Sequence, residues 1–174
     1  NDVYGYHVVN ILIHLLTAYF LFRSIQYLFA SVRCQYNELI VITTALFATL
    51  LWALAPIQTQ AVTYIVQRMA SLCGMFYIMS IYFYLNARSA EILSRKSVLL
   101  FIACCMSFLA AFLTKENAAL LPVTLLLIEA VFFQDMGRKA VRRTLFGIAL
   151  VLLISMVIGG SLVFYRGDPS AVLK

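Results

Sequence analysis

Long apolar runs separated by short polar joints set the pattern of this chain. Residues 39–67 carry no charge, and neither do 97–114, 117–128 and 144–165. A further run over 6–30 is interrupted by His14 and Arg23. A membrane-spanning helix needs about 20 mostly apolar residues. Pro56 divides the longest run, because proline lacks an amide donor and pushes the preceding residue out of helix. It suits the first turn of a new helix instead. The pattern predicts an all-α, polytopic transmembrane bundle of about six spans. They lie near 6–30, 38–55, 57–86, 97–114, 116–134 and 144–165, in a single transmembrane domain over 1–174. The third would run unbroken from Ile57 to Leu85 and measure about 43 Å, longer than a hydrocarbon core of about 30 Å. Two or three of its polar turns are therefore expected at the outer surface.

Composition agrees. Hydrophobic residues make up 64% and charged residues 11% of the 174, with mean hydropathy +0.96. Soluble domains run near 45–50% apolar and about 25% charged, so a soluble enzyme, a disordered segment and a disulfide miniprotein are excluded. The net charge of +6 does not point to nucleic acid, because the cations are scattered between apolar runs. The joints after the first, third and fifth spans hold Arg33, Arg88, Arg95, Lys96, Arg138, Lys139, Arg142 and Arg143. The other side holds Arg68, Lys115, Arg166 and Lys174. Cations favour cytoplasmic loops, which places both ends of the chain outside. Cys34, Cys73, Cys104 and Cys105 form neither a CxxC nor a zinc spacing, and the last three are expected to pack in apolar runs. The chain opens on Asn1 and ends on Lys174 without a start or stop cue, as expected of a segment of a longer membrane protein.

Candidate chemistry collects at the outer joints. His7, Asn10, His14 and Thr17 fall within about 80° on the first helix, one polar stripe. Such groups either hydrogen-bond between helices or line an aqueous cavity; without a carboxylate, the two histidines make a poor metal site. From Pro56 to Ser71, Gln60, Thr63, Tyr64, Gln67, Arg68 and Ser71 share a face about 140° wide. This face is either an interfacial collar or the wall of the same cavity, with Arg68 placed to take an anion such as phosphate. In Thr114-Lys115-Glu116-Asn117, Thr114 and Glu116 suit the start of the next helix, or Lys115 and Glu116 position a phosphate and a polar acceptor. No GxGxxG, P-loop, HExxH or GxSxG occurs.

Three stretches together carry a resemblance. They are Tyr4-Gly5-Tyr6-His7-Val8-Val9-Asn10-Ile11-Leu12-Ile13-His14, then Pro56-Ile57-Gln58-Thr59-Gln60-Ala61-Val62 continuing to Arg68, and Thr114-Lys115-Glu116-Asn117 followed by Pro122. In order and spacing the set resembles the membrane half of bacterial tetratricopeptide-repeat O-mannosyltransferase-like proteins, within the C-type glycosyltransferases. The resemblance implies an enzyme of the bacterial inner membrane that moves a hexose from a polyprenyl-phosphate donor to a protein hydroxyl outside the cytoplasm. It assigns donor-phosphate or cavity-lining roles to His7, Asn10, His14, Thr59, Gln60, Arg68, Lys115 and Glu116. It also implies an acidic first outer loop upstream and helical repeats downstream, so that this segment holds no catalytic residue and no metal site. No cofactor is required within the segment, and the parent leaves room for a divalent cation. Relatives carry histidine before the proline of the second stretch, where this chain has Ala55. Two other classes fit six spans: a transporter, which predicts paired broken helices or internal symmetry, and a membrane anchor for a helical-repeat interaction domain.

Overall fold

The structure, a computed structural model, describes residues 3–31, 36–63, 67–90 and 94–133. All of the regular structure in these residues is helical. Helix α1 runs Val3–Ser31, α2 Glu38–Ala53, α3 Gln58–Thr63, α4 Arg68–Ser89 and α5 Arg95–Thr114. A 3₁₀ turn, Glu116–Leu120, leads into α6, Leu121–Ile128, and a π turn, Glu129–Phe133, follows.

Local chemistry explains the boundaries. Asn37 starts α2 by accepting the Leu39 amide, 3.1 Å away, and Glu38 complements the positive first turn. Before Pro56 the chain leaves helix at Leu54. The amide of Gln58 donates to Ala55 O and the Thr59 hydroxyl to Pro56 O, so the turn satisfies its own carbonyls. Ser94 caps α5 by accepting the Ser97 amide. Pro122 sits in the first turn of α6, where its missing amide costs nothing.

Four stretches are long and apolar enough to cross a membrane: Gly5–Phe29, Arg68–Ser89, Arg95–Thr114 and Glu116–Phe133. They correspond to four of the six expected spans. The second expected span is shorter than the sequence suggested, because α2 has 16 residues and measures about 24 Å. The expected third span corresponds to α3 and α4, with 64–66 between them outside the described residues. The sixth span, 144–165, also lies outside them. Contacts divide the chain after Leu121, and the packing described next belongs to the first unit.

There α4 packs against α5 and α1, and α1 also packs against α2 and α3. Many residues on the faces that meet are small or polar, beside the buried Ile13, Met75 and Leu85. On α5, Ser97, Cys104, Ser107 and Ala111 are buried, while Leu113 is 83% exposed and Met106 61%. On α1 the buried positions include Asn10, Thr17 and Ser24, a spacing of seven that keeps one seam on its partner. A soluble helix would bury its large residues. With lipid tails as apolar as leucine, close backbone approach decides the seam instead. Ser80 on α4 donates across to Cys104 O at 3.0 Å, and Ser97 to Ala87 O at 3.2 Å. Cys73, Ala111 and Ala118 close one end of the α4–α5 pair. Cys73 and Cys104 are buried free thiols, and Cys105 is exposed.

Two outcomes are expected. Ala111→Leu puts a branched side chain into a fully buried position and should cost about 1–3 kcal/mol in unfolding experiments in detergent. With native cysteines replaced, Gln60→Cys and Lys96→Cys should label from opposite sides of the membrane, since α4 separates them. Labelling from one side would overturn the spanning assignment of α4.

Candidate functional site

The first half of α1, the end of α2, α3 and the start of α4 enclose a half-open groove of about 390 Å³. From α1 come Asn10, Ile13, His14 and Thr17. Trp52 belongs to the last turn of α2, and Gln58 and Gln60 to α3. Gln67, Ser71 and Gly74 complete the wall on the α4 side.

Each polar position on α1 is held differently. The Asn10 side chain is 1% exposed and accepts from Nε of Arg68 at 3.3 Å. His14 stacks on Trp52, with ring centroids 5.1 Å apart. Its Nε2 lies 3.1 Å from Ala53 O, so the ring meets the carbonyl end of α2. Thr17 returns its hydroxyl to Ile13 O at 2.7 Å, which removes its donor from the groove. His7 is half-buried on the same helix and is not part of the wall. Asn10, His14 and Thr17 of the stripe thus meet at the groove, and His7 does not.

Arg68, the first residue of α4, is half-buried beside the groove. Its guanidinium carbon sits 4.8 Å from the centre of the Tyr6 ring, within the range of a cation–π contact. Nη2 is buried and has no hydrogen-bond partner. Arg68 therefore bridges α4 to α1 through an amide oxygen and an aromatic face, and among the described residues it forms no ion pair.

The remaining candidates are set apart. Thr59 is exposed and engaged with the Pro56 turn, whereas Gln60 reaches the groove. Lys115 and Glu116 are exposed and are not on its wall. Lys115 ends α5 and its carbonyl lies 4.0 Å from the Cys73 thiol, so this joint is at the same end of the α4–α5 pair as Arg68. Thr114 does not cap the next turn as expected. Its hydroxyl donates back to Ala110 O at 2.6 Å, and the residue ahead of the 3₁₀ turn is Lys115, which makes no side-chain cap. Among the described residues no group of three or more His, Cys, Asp or Glu side chains is arranged to hold a metal ion.

Sequence reasoning missed Trp52, Tyr6 and Gly74 as site residues. Tyr6 shares a motif with His7, and its one-turn offset from Asn10 was the signal available. The His14–Trp52 pair joins positions separated by 38 residues, and no periodicity reports it. Comparison of the chain with family models, with curated proteins and with solved structures finds no match.

The Asn10–Arg68 contact generates a prediction. In a double-mutant cycle of Asn10→Ala and Arg68→Ala, thermal unfolding in detergent should show a coupling of about 0.5–1.5 kcal/mol. Additive effects would show that the 3.3 Å contact contributes nothing to stability.

Proposed function

We propose that this chain is the membrane part of an integral-membrane glycosyltransferase of the bacterial inner membrane. It would transfer a hexose from a polyprenyl-phosphate donor to a protein hydroxyl on the extracytoplasmic face. The resemblance of three ordered stretches motivates the reading. The observation that carries it is the half-buried Arg68 guanidinium beside the groove, held by neutral groups and with Nη2 unsatisfied.

A lipid-linked donor brings a phosphodiester to the membrane surface with its reactive carbon next to it. The acceptor oxygen attacks that carbon, the bond from carbon to phosphate oxygen breaks, and polyprenyl phosphate leaves with the electron pair. Charge gathers on the leaving phosphate, so a fixed cation stabilises the transition state more than the ground state. Arg68 supplies that cation, its charge left unneutralised by Asn10 and Tyr6. Lys115, at the same end of the α4–α5 pair, is a second positive charge for the phosphate. The carboxylate that takes the acceptor's proton belongs to the upstream loop that the resemblance implies. A divalent cation in the whole enzyme would assist at the same phosphate.

Arg68→Ala should lower donor use about ten- to hundred-fold, the loss of one charge-assisted contact of about 1.5–3 kcal/mol. Arg68→Lys should restore only part, because an ammonium lacks the two-pronged guanidinium geometry. The measurement is sugar transfer by the intact parent protein in membranes at matched expression. Wild-type transfer by the Ala variant would remove Arg68 from the site and favour a membrane anchor.

A further inference from the structure

We infer that the groove itself binds a neutral, polyhydroxylated head group, and that the charge of a phosphorylated ligand stays outside it on Arg68. The identification of that head group as a hexose rests on the function proposed above; the chemical class rests on the wall. Among the described residues, no Asp, Glu, Lys or Arg lines the groove. The titratable group present there is His14, which is already engaged by Trp52 and Ala53 O.

What the wall offers is amide. Asn10, Gln58, Gln60 and Gln67 line it together with the Ser71 hydroxyl. Each side-chain amide carries both donors and an acceptor, as does each sugar hydroxyl, so the two sets match without any net charge. Trp52 adds an apolar aromatic surface for the C–H faces of a ring. The groove volume, about 390 Å³, falls at the lower end of small-molecule sites, about 300–1,000 Å³. It extends along α1 from Asn10 to Thr17, about 10 Å at 1.5 Å per residue.

The placement of Arg68 separates charge from sugar. It follows Gln67 in the chain and is not itself part of the wall; its guanidinium turns to Tyr6 and to Asn10. Asn10 belongs to both places, lining the groove and accepting from Arg68. A ligand with a phosphate next to a hexose would therefore span two adjoining sites that share one amide.

Trp52 is the single tryptophan of the chain and supplies the readout. The 174-residue chain in phosphatidylcholine nanodiscs is titrated with hexyl mannoside, hexyl glucoside and, as a head-group control, hexanol. At least one hexoside should give a saturable change in Trp52 emission that hexanol does not. A Gln58→Leu/Gln60→Leu double variant should weaken that response at least tenfold. Gly74→Leu provides a second route that removes no hydrogen bond: a Cβ at this position meets nothing within 4 Å, so the side chain enters open space and narrows the groove. It too should abolish saturation. Equal responses to hexosides and hexanol, no response to either hexoside, or an unchanged response in both groove variants would overturn the inference. Hexoside binding without sugar transfer by the intact protein would sink the proposed function alone. Transfer without a hexoside response would sink this inference alone.

Discussion

Hydrocarbon offers no hydrogen-bond partner, and that constraint organises the packing of this chain. Several hydroxyls within the helices return to carbonyls one turn back: Thr17 to Ile13, Ser24 to Phe20, Thr43 to Leu39, Ser107 to Ala103 and Thr114 to Ala110; the buried Thr49 hydroxyl has no such partner. Satisfied in this way, a serine or threonine behaves as a small side chain, and backbones can approach across it. Where α4 meets α5, two serines reach a neighbouring helix instead, Ser80 to Cys104 O and Ser97 to Ala87 O. Many large residues face outward, though Leu85 and Leu121 are buried. The exposure of Leu113 beside the complete burial of Ala111 follows from that sorting.

The same constraint explains why the polar side chains gather at one end. Pro56 stops α2 early, and every helix end releases carbonyls that need partners. Here the Leu54 and Ala55 amides satisfy two of them, Leu50 O and Trp52 O, while His14 meets a third, Ala53 O, from α1. The end of α2, α3 and the start of α4 leave space against α1, and Gln60, Gln67 and Ser71 of the polar face line it. The groove thus follows the break at Pro56 and is closed on one side by His14 of α1.

How much of this was legible beforehand depended on range. Spans α1, α4 and α5 could be read because apolar length is a local property. The Pro56 break was legible for the same reason, although the length of α2 was not. The stripe of Asn10, His14 and Thr17 was correctly placed on one face, since helical geometry fixes angle from spacing alone. Spacing does not say which members of a stripe meet a partner. His7 shares the angle but lies outside the wall, and Ser24, one heptad past Thr17, joins the buried seam instead. Thr114 was misread because its hydroxyl has two uses of similar cost, forward capping and backward bonding, and only the extended backbone at Lys115 decides between them. Trp52 was invisible as a site residue, its role depending on which helix end α1 covers.

In the proposed function Arg68 would be an anchoring residue and a binding residue at once. Charged side chains at membrane depth usually pair with an opposite charge. This one has an amide oxygen and an aromatic ring, partners that hold the guanidinium in place without neutralising it. A cation–π contact of about 0.5–2 kcal/mol is comparable with the cost of about 1–3 kcal/mol for a buried donor left unpaired. The arrangement is therefore near balance rather than strongly self-satisfied. Had position 10 been aspartate, an ion pair would have consumed the charge and closed the site to anions. Asparagine holds the guanidinium without cancelling its charge, the property that the proposed phosphate site beside a neutral groove would require.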